Sequence, residues 1–329
     1  MTGLLTLTQT QLDAWVVQAI ACTRLGRLPD YIPLLAKANP HWVAVLLQQV
    51  NGKSHSAGEV EQPFTLMSVI KPLVLLFLLE QLGWEQVFTH VGMDPSNQSF
   101  HSLTQLREDR GFPRNPMINS GAIALASLLP GEDGTSRCEA LRQWLNQMSG
   151  SHLVLDEQML ASVRSLSNEA NRAIAELLSK SGYLGSVETA LNTYNQICCL
   201  SGTVADLAKL GMLLAAGDVR TNEQADAKDL IQNSKFNISP QPSALSPQHL
   251  KTVNALMLTC GLYEASGRFA VRIGLPIKSG VSGALLSIVP GQGAIACYSP
   301  ALDSTGNSVA GLFLIEKLAQ ELNLSIFSA

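Results

Sequence analysis

The chain has 329 residues, of which 46% are hydrophobic and 15% are charged, so it has enough apolar material for a large core in one or two domains. Its net charge is -4 and its 22 Lys and Arg residues are scattered, so no region supplies the concentrated positive face that nucleic acid requires. We therefore expect an ordinary globular protein that does not bind nucleic acid.

The sequence also lacks the patterns of secretion and of membrane insertion. The N-terminal segment has no basic start, and the most apolar stretch, Leu73 to Leu79, ends at Glu80, far short of the roughly 20 residues of a membrane span. The six cysteines have no C-x-x-C spacing, which indicates buried reduced thiols, and the histidines form no metal-binding motif. We expect a soluble cytoplasmic protein without a metal, a cofactor or a membrane partner.

Three elements are predicted before the middle of the chain. Apolar residues recur at helical spacing over residues 9–24, which predicts an amphipathic helix. The apolar run from His41 to Val50 precedes an Asn-Gly turn signal, a pattern typical of a strand that enters a hairpin. Ser68 to Leu82 is strongly apolar and predicts a helix, in which Pro72 is tolerated if it lies in the first turn.

The middle of the chain has a series of helical patterns, which predicts an all-helical lobe. The patterns are Ser120 to Leu129, Cys138 to Met148, Ala170 to Lys180, Val187 to Cys199 and Thr203 to Ala216. A polar stretch with several prolines follows, from Thr221 to Pro247, and its composition predicts an exposed and mobile surface insertion.

Short β-type runs separated by Gly and Pro turns follow, and a helical pattern from Gly306 to Ile326 closes the chain. The runs are Arg268 to Val281, Ala284 to Val289 and Ala294 to Pro300. Strands near both ends with helices between them predict an α/β (α+β) fold, an antiparallel sheet flanked by helices with an inserted all-helical lobe. We assign residues 1–75 and 205–329 to the split α/β domain and residues 76–204 to the lobe.

Ser68 and Lys71 form the only S-x-x-K in the sequence. Three-residue spacing on a helix places both side chains on one face, which suits a serine whose proton is taken by an amine. A lysine acting as a base near neutrality needs a pKa roughly three units below its ordinary value of about 10.4, and the apolar run after Lys71 could provide the burial that lowers it. The motif also arises by chance in many chains of this length.

A second box, Lys278-Ser279-Gly280, lies far along the chain. It follows the strand-like run FAVRIGLPI and matches the third box of S-x-x-K enzymes, in which an edge-strand lysine polarises the site and a backbone N–H helps to form the oxyanion hole. The alternative is a plain glycine turn beside a solvated lysine. Two boxes in this order favour a serine hydrolase.

Longer segments resemble the serine-dependent glutaminase family, whose fold is similar to that of serine β-lactamases and transpeptidases. The segments are GRLPDYIPLLA (26–36), FTLMSVIK (64–71), RNPMINSGAIA (114–124), NRAIAELL (171–178), YNQICCL (194–200) and MLTCGLYEASGRFAVRIGLPIKSGVSG (257–283). The resemblance implies hydrolysis of L-glutamine to glutamate and ammonia through a serine acyl-enzyme.

The same resemblance implies a role for each matching residue. Ser68 would be the nucleophile and Lys71 its base, while Tyr263 would relay a proton toward the leaving ammonia. The backbone N–H groups of Ser68 and Val281 would surround the oxyanion. The amino-acid end of the substrate would be held by the matching residues Asn119, Asn171 and Tyr194. Tyr31 would reach the pocket from the N-terminal segment.

Most of these residue types have a second interpretation. Asn119 and Asn171 each stand just before a helical pattern, where asparagine is favoured as a helix cap. Buried tyrosines are also common core residues whose hydroxyl has found a partner. We interpret Met67, Leu256 and Met257 as packing residues.

Two positions depart from the family pattern. The family has glutamine where this chain has Met67, which cannot form the same hydrogen bonds. It also has a glutamate seven positions before the residue matching Asn171, expected to pair with the substrate α-ammonium, and here that position is Arg164. A guanidinium there would repel the ammonium, so we expect a weak L-glutamine activity or a raised KM. If the alignment slips, Glu169 would take the role of the glutamate.

Three functions follow from these observations. The first is a glutaminase, and the second is the same chemistry on an amide without a free α-ammonium, whose carboxylate Arg164 would engage. The third is a catalytically silent homologue kept as a binding or oligomeric scaffold. The resemblance further implies a homodimer or homotetramer that acts on a small-molecule substrate.

Overall fold

The structure, a computed structural model, describes residues 3–96, 98–216 and 244–328. The strands are β1 (Ala44–Gln49), β2 (Ser54–Gly58), β3 (Phe64–Thr65), β4 (Val154–Leu155), β5 (Leu200–Gly202), β6 (Ile277–Ser279), β7 (Ala284–Val289) and β8 (Gly293–Tyr298). Five of them form an antiparallel sheet of order β2-β1-β8-β7-β6, and the other three form a small sheet of order β3-β5-β4.

The helices are α1 (Gln9–Cys22), α2 (Lys71–Leu82), α3 (Trp84–Phe88), α4 (Leu103–Glu108), α5 (Asn119–Ala126), α6 (Gly134–Ser149), α7 (Glu157–Arg164), α8 (Glu169–Lys180), α9 (Val187–Cys198), α10 (Val204–Ala216), α11 (Pro247–Cys260), α12 (Ser266–Arg272) and α13 (Val309–Glu321). Short 3-10 helices include Met67–Ile70 and Tyr263–Ala265. The helical patterns of the sequence therefore correspond to α1, α2, α5, α6 and α8 to α10.

Helices pack on both faces of the five-stranded sheet and leave the edge strand β2 largely exposed. On one face, Val45 and Leu47 of β1 pack with α1 and α13. On the other face, α10 lies against β1, β7 and β8. The strands β7 and β8 are buried along their whole length, because helices cover the sheet from both sides.

The sheet joins segments from both ends of the chain, as the sequence predicts. β1 pairs with β8 in antiparallel register, with Val45 opposite Cys297 and Leu47 opposite Ile295. β6, which carries Lys278, is an edge strand. The fold prediction of an antiparallel sheet flanked by helices is confirmed, whereas the division into residues 1–75 plus 205–329 and 76–204 stays a prediction.

Two parts of the chain differ from the sequence-based expectation. The run from Arg268 to Val281 is not one strand, because Ser266–Arg272 is the helix α12 and only Ile277–Ser279 is extended. The middle region contributes β4 and β5, so it is not purely helical. The polar stretch predicted to be a mobile insertion lies, up to residue 243, outside the described residues, and Pro247 begins α11.

The small sheet fixes the segment that precedes Ser68. β3 pairs with β5, with Phe64 opposite Gly202 and Thr65 opposite Ser201. The Leu66 N–H then donates to the Leu200 carbonyl at 2.8 Å. Since β5 directly follows α9, this pairing brings the S-x-x-K segment beside the end of that helix.

Candidate active site

Ser68 lies in a turn between a strand and a buried helix. β3 ends at Thr65, and Met67–Ile70 form a 3-10 turn that passes into α2 at Lys71. Met67 adopts a φ of +46°, in the left-handed region, which costs a non-glycine residue on the order of 1 kcal/mol. This turn holds Ser68 at the N-terminal end of a helix, where the partial positive charge of the helix dipole stabilises negative charge on a nearby oxygen.

The amine of Lys71 is buried directly below this turn. Its side chain is only 2% exposed, and it begins a helix whose residues 71–79 are all buried. Nζ donates hydrogen bonds to the Met117 carbonyl at 3.1 Å and to Asn119 Oδ1 at 2.9 Å. Burial lowers the pKa of Lys71 to about 8, because the low-dielectric surroundings disfavour the charged form.

Asn119 connects the lysine to three helices. Its Oδ1 accepts from Lys71 Nζ and, at 3.1 Å, from the Tyr194 hydroxyl, while its Nδ2 donates to Asn171 Oδ1 at 2.9 Å. Neither asparagine is the cap of its helix, since Ile118 and Asn168 occupy those positions. The capping interpretation is therefore wrong for both residues, and their side chains form a network around Lys71.

Tyr263 approaches Ser68 from the opposite side. Its φ of +56° is again left-handed, and its hydroxyl donates to the Ser279 carbonyl at 3.4 Å. Burial raises the pKa of Tyr263 to about 12. The Ser68 hydroxyl is near enough to lower that pKa in part.

The Lys278 Nζ lies 4.2 Å from the centroid of the Tyr263 ring and donates to the Ser279 carbonyl at 2.6 Å. Burial and the nearby Lys71 hold the pKa of Lys278 well below its usual range.

The turn after β6 brings its backbone close to Ser68. The Gly283 N–H donates to the Gly280 carbonyl at 2.9 Å, which places Val281 in the turn. A Cβ at Gly280 would lie 2.7 Å from the Leu66 carbonyl oxygen and 3.4 Å from the Ser68 nitrogen. Only glycine allows this close approach, which sets the backbone of residues 280–283 beside Ser68.

Most of the residues singled out in the sequence line one cavity of about 130 Å³: Tyr31, Ser68, Asn119, Asn171, Tyr194 and Val281. Lys71 and Tyr263 are buried behind Ser68 and do not line it. Tyr31 is half-exposed and also lines a wider surface groove that adjoins the cavity. The eight site residues predicted from the sequence thus lie together around Ser68.

The sequence analysis missed several residues that line this cavity, among them Cys198, Asn195 and Phe100. Cys198 follows Tyr194 by one helical turn, and this spacing could have placed both side chains on the same face of α9. Asn195 is adjacent to Tyr194 in the same helix. Phe100, whose ring centroid lies 4.7 Å from that of Tyr263, comes from a segment without a regular pattern, so no periodicity indicated it.

Comparison with known proteins identifies the family of this site. The model of the glutaminase family matches residues 26–327. A glutaminase of Synechocystis sp. is 42% identical over 95% of this chain and 89% of its own length. The chain belongs to the glutaminase family.

Solved structures agree with this assignment. A probable glutaminase superposes with a TM-score of 0.85 at 33% identity, covering 98% of this chain and all of its own. A Bacillus subtilis glutaminase superposes with a TM-score of 0.80 at 31% identity, over 97% of this chain and 99% of its own, and it is covalently joined to 5-oxo-L-norleucine after reaction with 6-diazo-5-oxo-L-norleucine. Members of this family are amidohydrolases with a serine β-lactamase-like fold.

In this glutaminase, the two departures from the family pattern lie on different surfaces. Met67 lines the Ser68 cavity, where it is 4% exposed. Arg164 is the last residue of α7 and lines a neighbouring, more open pocket. Its Nη2 donates to Asn192 Oδ1 at 2.6 Å, and Asn192 lines the same neighbouring pocket.

The described parts of this glutaminase contain neither a cluster of metal-binding side chains nor a membrane-spanning helix. Over residues 3–96, 98–216 and 244–328, no three His, Cys, Asp or Glu side chains are grouped so that they could hold a metal ion. Among the helices within those ranges, none is long and apolar enough to span a membrane. The six cysteines are free thiols, five of them buried and Cys22 partly exposed.

Proposed function

We propose that this glutaminase hydrolyses the side-chain amide of L-glutamine through a covalent intermediate on Ser68. Lys71 takes the hydroxyl proton as Ser68 Oγ attacks the carboxamide carbon, and the C–N bond breaks with release of ammonia. Tyr263, whose pKa the nearby Ser68 hydroxyl influences, relays a proton to the leaving nitrogen. Water then hydrolyses the ester to glutamate, which frees Ser68.

One observation carries this mechanism: a buried lysine with a lowered pKa lies three residues from a serine that opens onto a cavity. A neutral amine at that position can act as a base near neutral pH, which an exposed lysine cannot do efficiently. The helix terminus at Ser68 and the turn at Val281 provide positive ends of backbone dipoles for the oxyanion. The covalent complex of the Bacillus relative with a glutamine analogue supports a covalent intermediate.

The other end of the substrate would be held by amide and hydroxyl groups. Asn171 and Asn119 are joined side chain to side chain, and Tyr194 is hydrogen-bonded to Asn119. A substrate that reaches them with its carboxamide at Ser68 would lie along the cavity. Tyr31, at the mouth, would cover it from the solvent side.

Labelling with 6-diazo-5-oxo-L-norleucine tests the proposal. We expect one equivalent of label, located on Ser68 by peptide mass spectrometry, with protection by L-glutamine and release of ammonia from unlabelled enzyme. The exposed Ser54→Ala variant is the control and should be labelled normally. An unlabelled Ser68, with no ammonia released from any primary amide, would instead favour the catalytically silent scaffold.

A charge reversal at Arg164 should improve the use of L-glutamine. If position 164 faces the α-end of the substrate, Arg164→Glu supplies an anion for the ammonium and should lower KM by roughly tenfold with little change in kcat, because the contact lies away from the scissile amide. Steady-state kinetics on Arg164→Glu and on the neutral control Arg164→Gln will check this. The comparison separates attraction of the α-ammonium by the new carboxylate from the mere loss of its repulsion by the guanidinium. Efficient wild-type turnover combined with a neutral or harmful Arg164→Glu would place the position outside the site.

The rate should also depend on the charge of Lys71. Because its pKa is lowered to about 8, Lys71 is protonated below that pH and becomes a competent base above it. We expect kcat/KM for amide hydrolysis to rise with pH, about tenfold per unit, and to level off above about pH 8. A rate that is independent of pH between about 6 and 9 would contradict Lys71 as the base.

We also propose that the enzyme acts in the cytoplasm as a homodimer or homotetramer. The free cysteines agree with a reducing compartment, and the family resemblance supports the assembly. The substrate is a small molecule, as in the relative bound to a glutamine analogue.

A further inference from the structure

A second pocket adjoins the Ser68 cavity. This neighbouring pocket has a volume of about 430 Å³ and shares four lining residues with the cavity: Val163, Leu166, Asn168 and Asn195. Of these, Asn168 is the cap at the beginning of α8. The two pockets are therefore neighbours that share one wall.

The first cavity offers no anion to a cationic substrate end. No carboxylate from the described part of the chain lines it. The two buried lysines of the site, Lys71 and Lys278, supply no negative charge either. An ammonium group inside this cavity would meet no opposite charge, whereas an acylated nitrogen carries no charge to compensate.

The second pocket offers one guanidinium that is not neutralised. Arg172, on the same pocket, pairs with Glu188 at 2.5 Å. The Asp133 carboxylate accepts from the Ser136 N–H as the cap of α6. Arg164, by contrast, forms no ion pair within the described ranges and donates to the neutral amide of Asn192. Guanidinium has five N–H donors in a planar fork, so this contact leaves further donors for a carboxylate.

We propose that Arg164 and Asn192 form an anion subsite, and that this glutaminase prefers primary amides whose α-nitrogen carries an acyl group ending in a carboxylate. The inference rests on the proposed function, because the carboxamide of such a substrate must reach Ser68. The acyl chain follows the wall of Val163 and Leu166, and its carboxylate meets the Arg164 guanidinium. Arg164 is then a specificity-determining residue that does not touch the reacting atoms.

Three related amides test this subsite: L-glutamine, N-acetyl-L-glutamine and N-succinyl-L-glutamine. The acetyl and succinyl compounds both lack the α-ammonium, but only the succinyl compound has the extra carboxylate. We expect the wild type to show a kcat/KM at least about tenfold higher for the succinyl than for the acetyl compound, mainly through KM. Arg164→Gln should abolish that difference, whereas the exposed control Arg24→Gln, which lines neither pocket, should retain it.

A binding measurement separates this inference from the proposed chemistry. Calorimetry on Ser68→Ala, which needs no turnover, should give tighter binding of the succinyl than of the acetyl compound, with the difference lost in Ser68→Ala/Arg164→Gln. Equal binding of the two compounds would overturn the subsite even if L-glutamine is hydrolysed. If Ser68→Ala binds the succinyl compound more tightly than the acetyl compound but the wild type hydrolyses no amide, the subsite stands and the proposed function is wrong.

Discussion

Replacing Ser68 by alanine should lower kcat by at least about a thousandfold while the protein remains folded. The covalent route requires Oγ, and no other group in the described cavity is placed to replace it: Cys198 lines the same cavity, but burial raises its pKa to about 11, so its thiol is protonated at neutral pH. The removed hydroxyl is small and its partner Tyr263 keeps its contact with the Ser279 carbonyl. We therefore expect a loss of stability of only about 1 kcal/mol.

Ammonia release and thermal unfolding of Ser68→Ala, measured on the same preparation, check this expectation. Ser54→Ala on the exposed strand β2 serves as the matched control and should keep both wild-type values. Turnover that is unchanged in Ser68→Ala would end the assignment of the nucleophile. A large drop in melting temperature would show that the loss of activity reflects unfolding.

Replacing Lys71 by alanine should be damaging on a similar scale, since general-base catalysis contributes roughly a hundred- to ten-thousandfold. The change also removes the donor to Asn119 Oδ1 and the Met117 carbonyl, so it disturbs the network that includes Tyr194. Buried acceptors without donors cost about 1–3 kcal/mol each. The variant should therefore lose stability as well as activity.

Lys71→Met separates these two effects, because it keeps much of the side-chain volume in the buried helix and removes only the amine. We expect kcat to fall as in Lys71→Ala, with the pH-dependent rise near 8 abolished. Tyr263→Phe is the comparison, and as a proton relay it should reduce kcat less. A mild effect of Lys71→Met beside a severe effect of Tyr263→Phe would make Tyr263 the principal base.

Local patterns were sufficient for much of the fold. The helices α1, α2 and α8 were predicted because their apolar residues recur at helical spacing or fill a long apolar run. The hydrophobic pattern predicted a strand for the run that begins at Arg268, but its first residues belong to the short helix α12. The prediction was wrong there because a short run of β-branched and apolar residues fits both a strand and a helix. The strands β4 and β5 were missed because they have two and three residues, too few to show alternation.

The sequence by itself determined the family and predicted the nucleophile and the base, because the S-x-x-K and K-S-G boxes are short local patterns whose chemistry depends on residue type and spacing. It also revealed the charge of Arg164. Only the tertiary structure decided where that charge lies, since its contact with Asn192 joins residues of different helices. The Asn119 network and the adjacency of the two pockets were likewise decided by packing between α5, α8 and α9, because contacts between distant segments leave no periodic signal in one sequence.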